Sequence, residues 1–200
     1  MDELTYPLFP LSTVLFPGGP LPLRIFETRY LDMVSSCMRD EKPFGVCLIR
    51  DGFETGKAAN TFEIGTFARI VDWNQLPGGL LGITALGEDR FQILSREVQS
   101  DQLIVARVSV MTSEKHETVP AEHHHLKRLL RSFVEHLGHH YDHVTMDFDN
   151  ASWVGYRLAE ILPIPMTRKQ YFLELEDPLV RLTQIAELVA EISAQNKGSI

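Results

Sequence analysis

PLFPLSTVLFPGGPLPLRIFETRYLDMV, residues 7–34, is the stretch that decides how the front of this chain folds. Short apolar runs, Leu4–Leu11 and Val14–Phe16, are interrupted by Pro7, Pro10 and Pro17. Proline cannot donate to a strand ladder, so such strands belong at sheet edges or kinked corners. Leu21–Phe26 reads as a further strand. It runs into Glu27–Arg39, where Tyr30, Leu31, Val34 and Met38 recur at helical spacing. Arg24, Glu27 and Arg29 flank that strand-to-helix junction and suit a structural ion pair.

Outward from this stretch the β character continues. Phe44–Ile49 reads as a buried strand, and Thr66–Trp73, Leu80–Leu86 and Phe91–Val98 as further strands. Gly78-Gly79 and Gly87-Glu88-Asp89 are the turn signals between them. Leu103–Met111 alternates, with Ile104, Ala106, Val108 and Val110 on one face. Several short strands with one inserted helix predict a closed or partly closed barrel, because closure removes exposed edges. The chain changes character between Lys115 and His116. Ten of the 13 glycines and seven of the 11 prolines precede that point, and all eight histidines follow it. Residues 1–115 are therefore expected to form a β-barrel subdomain and residues 116–200 a helical bundle, an α+β protein.

In the second part, Pro120 suits a first helical turn, and Leu126, Leu129, Leu130, Phe133 and Leu137 form an apolar stripe. Asn150 or Ser152 can cap a second helix that Pro163 stops. Thr167 with Gln170 fits a capping box. Asp177-Pro178 is a cap followed by a first-position proline, and Leu179, Leu182, Ile185, Ala186, Val189 and Ile192 make the seam of a last helix.

Composition narrows the partners. With 44% hydrophobic and 23% charged residues the chain is of ordinary globular make-up, and its net charge of −8 argues against a nucleic-acid or anionic-membrane partner. Cys37 and Cys47, ten residues apart, fit buried reduced thiols. The opening MDELTYPLFP lacks the basic and apolar regions of a signal peptide, and no apolar run is long enough to span a bilayer, so a cytoplasmic location is expected.

Chemical motifs are sparse. Asp51–Ala58 approximates a phosphate loop but has Asp51 where the first glycine belongs and Ala58 in place of the hydroxyl that holds magnesium. No nucleophile elbow or H-E-x-x-H occurs. The acids Glu174, Glu176 and Asp177 read as a solvated helix end with a cap rather than an acid/base pair. His136, His139, His140 and His143 fall at i, i+3, i+4 and i+7. On a continuous helix they share one face, and imidazoles so spaced bind zinc or copper. The plainer reading is a solvated face loosened at Gly138. No metal and no cofactor are expected, and these four histidines are the candidate ligands if a metal is bound.

The Pro7–Val34 stretch resembles the start of the Lon-protease N-terminal domain, especially its short stand-alone members. Phe44–Ile49, Ile64–Val71, Gly87–Leu94, Leu103–Val108 and the helical tail Leu158–Val189 agree with that family in order and spacing. The resemblance implies a PUA-like β pseudo-barrel followed by an α-helical bundle. It also implies the role of a substrate-recognition domain, without the AAA+ and serine–lysine protease parts that follow it in full-length Lon. The implied function is a non-catalytic module that binds exposed apolar or unfolded polypeptide segments, by apolar burial or strand addition. A separate ATP-dependent protease is a further partner under this reading, and a homodimer stays open. Candidate contact residues are Phe9, Phe16, Pro17, Leu76, Pro77 and Leu80, with burial as the competing reading for the two phenylalanines. The alternatives are a metal-dependent enzyme using the histidine face, and RNA binding by a PUA-like barrel, which the acidic charge disfavours.

Overall fold

The computed structural model describes residues 5–197, so Leu4 and the last three residues of the expected 116–200 segment lie outside it. The chain divides into two compact units, Met1–Ser113 and Glu114–Ile200.

The first unit contains strands β1 (Thr5–Leu11), β2 (Pro20–Ile25), β3 (Phe44–Asp51), β4 (Asn60–Thr61), β5 (Ile64–Gln75), β6 (Leu81–Val98) and β7 (Ile104–Val110), with helix α1 (Thr28–Asp40) between β2 and β3. The sheet runs β1-β7-β6-β5-β3-β4, and a parallel pairing of β1 with β3 closes it into a ring. Closure depends on β1 changing partners midway. Thr5–Leu8 pair antiparallel with β7, whereas Leu8–Leu11 pair with β3. The expected proline-bearing corner strand is this one.

Alternation along the strands separates two cores. Leu8, Cys47, Phe67, Phe91, Ile104 and Ala106 come from all five ring strands and pack together. Inward-pointing faces are the only ones that converge, so this cluster fills the ring. The neighbouring residues Phe9, Val46 and Ala68 point the other way and join Tyr30, Met33, Val34 and Cys37 of α1.

Two expectations for this unit are corrected. Val14–Phe16 is not a strand but an irregular buried segment, anchored where the Thr66 hydroxyl donates to Leu15 O (2.6 Å). Nor does Gly87-Glu88-Asp89 form a turn, since β6 runs unbroken through it. A Cβ at Gly87 would lie 2.2 Å from the Phe16 carbonyl oxygen, so this glycine permits close backbone approach. Gly78 and Gly79 do turn the chain, with φ of 82° and 80°.

The second unit holds α2 (His124–Leu137), α3 (Ala151–Ile161), α4 (Met166–Glu174) and α5 (Pro178–Lys197). Asn150 caps α3, accepting from the Ser152 (2.9 Å) and Trp153 (3.3 Å) amides. Asp177 caps α5 through the amides of Leu179 (2.8 Å) and Val180 (3.2 Å), with Pro178 at the first position. The Thr167–Gln170 capping box does not form. Pro165 occupies the cap of α4 without a side-chain bond, and buried Gln170 donates to Glu174 (2.9 Å).

Inside this unit Arg181, 0% exposed, forms a bidentate pair with Glu114 at 2.5 and 3.0 Å. Its guanidinium also donates to the carbonyls of Phe172 (3.0 Å) and Leu175 (2.5 Å) and lies 3.9 Å over the Tyr156 ring. Ser152 and Tyr156 hydroxyls donate to Glu114 at 2.6 and 2.5 Å. A buried charge is tolerable when it is so fully paired and hydrogen-bonded.

Candidate polypeptide-binding surface

Helix α1 covers the sheet with its Tyr30, Met33, Val34 and Cys37 face, and the ground on either side of it is hollowed. On one side a groove of about 330 Å³ runs between α1, the start of β1 and the β6–β7 turn; Thr5, Tyr6, Pro7, Asp32, Met33 and Leu103 line it. On the other, a groove of about 430 Å³ lies between the end of α1 and β5, with Met38, Ile70 and Trp73 in its walls. Met38 and Trp73 are exposed, as is Phe26 at the mouth of a smaller hollow of about 160 Å³.

Arg29 organises the first groove. Only 5% exposed, it pairs with Glu27 (2.9 Å) and donates to the Gln102 carbonyl (2.9 Å). Gln102 sits in the β6–β7 turn at φ 72°, a left-handed conformation rare for a residue with a side chain. Its side-chain oxygen accepts the Ala58 amide, while Glu27 accepts that of Gly56, each at 3.4 Å. One buried guanidinium thus ties α1, the strained turn and the Gly52–Ala59 loop together. Over-determined strain of this kind collects at ligand-facing walls. The Arg29–Glu27 pair was readable in sequence as an ion pair; its grip on Gln102 had no sequence signal.

The sequence-derived contact residues do not form one patch. Phe9 and Phe16 are 6% and 0% exposed, Phe9 stacking on Tyr30 with centroids 3.9 Å apart. Both serve as core, which follows from their apolar area. Leu76, Pro77 and Leu80 do meet at the β5–β6 tip, closed by the Leu76 amide donating to Leu80 O (2.8 Å). Pro17 lies elsewhere, beside the Gly18–Gly87 contact well along β6 from that tip.

The histidines do not share a helical face. Helix α2 stops at Leu137 because Gly138 turns to φ 52°, ψ −129°, and a short 3-10 turn carries His139 and His140 instead. The His136 imidazole bonds Ser132 O (2.5 Å), and exposed His139 pairs with Asp142 (3.0 Å). Among the described residues no group of three or more His, Cys, Asp or Glu is placed to hold a metal ion. Neither thiol is an activated nucleophile. Burial pushes Cys37 up to about 11, with Asp40 adding to the shift, and burial pushes Cys47 up to about 12. What the unit presents is apolar grooves, an incompletely paired strand and a few carboxylates, which suits binding of a chain segment.

The first unit is thus a closed ring with a covering helix and grooves beside it, in an α+β chain. The chain belongs to the ATP-dependent protease La (LON) substrate-binding domain family, whose model matches residues 5–191. It is similar to Lon protease 2 of Myxococcus xanthus, 29% identical over 192 residues that cover 92% of this chain and 23% of that protein. A crystal structure of a Lon N-terminal domain protein from Xanthomonas campestris is 35% identical with a TM-score of 0.77, covering 92% of this chain and 98% of that one. The N-terminal domain of the Mycobacterium avium complex Lon protease, 15% identical with a TM-score of 0.64, covers 92% of this chain and 97% of that one and shares the fold. The chain spans about a quarter of the length of the curated relatives it matches. Family, α+β class and a substrate-recognition role agree with the reading of the sequence. Among the described residues no helix is long and apolar enough to cross a membrane.

Proposed function

We propose that this chain is a non-catalytic module that binds exposed apolar or unfolded polypeptide segments and serves a separate ATP-dependent protease. The observation that carries the reading is the groove of about 330 Å³ beside α1, with apolar side chains in its floor and a strand in its wall. Apolar grooves with a strand along one side are a recurrent way to hold extended peptides. Membership of a substrate-binding family supports the same conclusion. The groove, rather than the six sequence-derived residues, is the surface put forward; Leu76, Pro77 and Leu80 at the hairpin tip make a secondary apolar contact.

Fluorescence anisotropy with a reduced, carboxymethylated and permanently unfolded protein tests it. Saturable binding of the unfolded form, and none of its native counterpart, is the expected outcome. Absence of saturable binding, or equal binding of both forms, removes the reading. Neither peptide hydrolysis nor ATP turnover should accompany the binding.

A further inference from the structure

We infer that the groove between α1 and β1 takes an extended segment that pairs with the start of β1 and presents a lysine or arginine to Asp32. This rests on the polypeptide-binding reading above and specifies its ligand.

The first argument is the backbone. Thr5–Pro7 have β7 on one side, whereas β3 joins β1 only from Leu8 onward. The side of Thr5 turned away from β7 therefore faces the groove without a partner strand among the described residues. Pro7 has no N–H, so its place in the ladder is one whose backbone polar groups point away from β7. By the alternation of a strand, Thr5 points the same way. The Leu8–Gly45 register commits the Pro7 carbonyl to the Gly45 amide, so the vacant side offers the Thr5 amide and carbonyl, which can form one hydrogen-bonded pair with an added segment. Alternate side chains of such a segment face Met33 and Leu103, both buried groove residues. An unpaired strand side next to apolar walls is a template for strand addition.

The second argument is charge. Asp32, Asp40 and Asp101 line the groove together with two cations, Arg29 and Lys42. Arg29 is already committed to Glu27, and Asp40 to Arg39 at 3.2 Å. Asp101 accepts the Leu103 amide (3.0 Å) and so braces the turn. Asp32 is exposed and makes no hydrogen bond or ion pair among the described residues. Exposed Lys42 makes no ion pair among the described residues and offsets one of these charges, so the three aspartates exceed the two lining cations by one, and in a chain whose net charge is −8 the groove favours a cationic side chain on an otherwise apolar segment.

The test uses fluorescein-labelled ten-residue peptides of alternating valine and threonine with a central lysine, with glutamate in its place, or with alternate backbone amides methylated. Titrated at low salt against the full chain, the lysine peptide should bind about tenfold more tightly than the glutamate peptide, equivalent to about 1.4 kcal/mol. Asp32→Asn should cut that ratio to about threefold and Asp32→Lys should invert it, since Asp32 is exposed and either variant folds. Amide methylation should cost about fivefold, because it removes the donor to the Thr5 carbonyl. Equal affinity for the two charged peptides, indifference to Asp32→Lys, or indifference to methylation overturns the inference. If the unfolded protein still binds in that case, only the groove assignment falls. If the unfolded protein does not bind, the recognition reading falls with it.

Discussion

Removing the Glu114 carboxylate should unfold the helical unit far more readily than its single position suggests. Glu114 accepts two hydrogen bonds from Arg181 and one each from Ser152 and Tyr156. Glu114→Ala leaves the fully buried guanidinium with two backbone carbonyls and the Tyr156 hydroxyl but no counter-charge. Breaking one side of a buried pair costs about 3–5 kcal/mol, against a total stability of roughly 5–15 kcal/mol. With a urea dependence of about 2 kcal/mol per molar, the midpoint should fall by about 2 M. The chain has two tryptophans, exposed Trp73 and buried Trp153, so Trp153 fluorescence in a Trp73→Phe background reports this unit. Glu114→Met with Arg181→Met should restore much of the loss, because the pair is replaced by apolar volume rather than broken. Acid adds a second reading. Burial alone would raise the Glu114 pKa, but hydrogen bonds and charge from Arg181, aided by Ser152 and Tyr156, hold it below the usual carboxylate range. Its contribution is then present above the unfolded value of about 4.3 and lost as pH falls through the lower folded value, so the gap between wild type and Glu114→Ala should narrow below about pH 4. A Glu114→Ala midpoint shift equivalent to under about 1 kcal/mol, or a double variant as unstable as the two single losses added, would refute the account.

Gly87→Ala forces a Cβ against the Phe16 carbonyl oxygen, 2.2 Å away, and should destabilise the β unit by about 2–3 kcal/mol in urea unfolding. Asn150→Ala removes the side-chain oxygen that bonds the Ser152 and Trp153 amides at the start of α3 and should cost about 1 kcal/mol, with Asn150→Asp recovering it in urea unfolding. Cys37 and Cys47 are 6% and 1% exposed and held protonated by burial, so a thiol-specific disulfide reagent at pH 8 should react slowly with the native chain and promptly with both cysteines in guanidinium.

Local pattern was legible where local physics decides. The Tyr30–Val34 spacing located α1, the alternation of Ile104, Ala106 and Val108 gave the buried face of β7, and Asp177-Pro178 marked the start of α5. Gly87-Glu88-Asp89 has turn composition, and what makes residue 87 a glycine is Phe16, about seventy positions away. The histidine spacing was compatible with one face until Gly138 broke the helix that had to carry it. Met38 shared the helical spacing of Tyr30 and Val34, yet it is 38% exposed while Met33 and Cys37 hold the buried stripe. The groove itself was out of reach for sequence reasoning. Thr5–Pro7, Asp32–Met33 and Asp101–Leu103 become neighbours only when the sheet closes.

Ring closure and the vacant strand side are one event seen from two positions. A strand that stayed on β7 along its whole length would leave β3 unclosed, and one that began on β3 would leave β7 unclosed. By changing partners at Leu8, β1 satisfies both neighbours, and Thr5, at the start of the strand, keeps one side unoccupied. Pro7 and Pro10 tolerate this because neither has an N–H to lose. The turn that walls the vacated side is then held in a left-handed conformation by Arg29, from the helix that walls the opposite side. Arg29→Lys keeps the charge but not the fork that reaches Glu27 and Gln102 together. That substitution should weaken peptide binding several-fold while the ring core, built from Leu8, Phe67 and Phe91, keeps its protection from hydrogen exchange. Loss of protection across β1, β3 and β7 in Arg29→Lys would mean that Arg29 supports the barrel itself rather than the groove beside it.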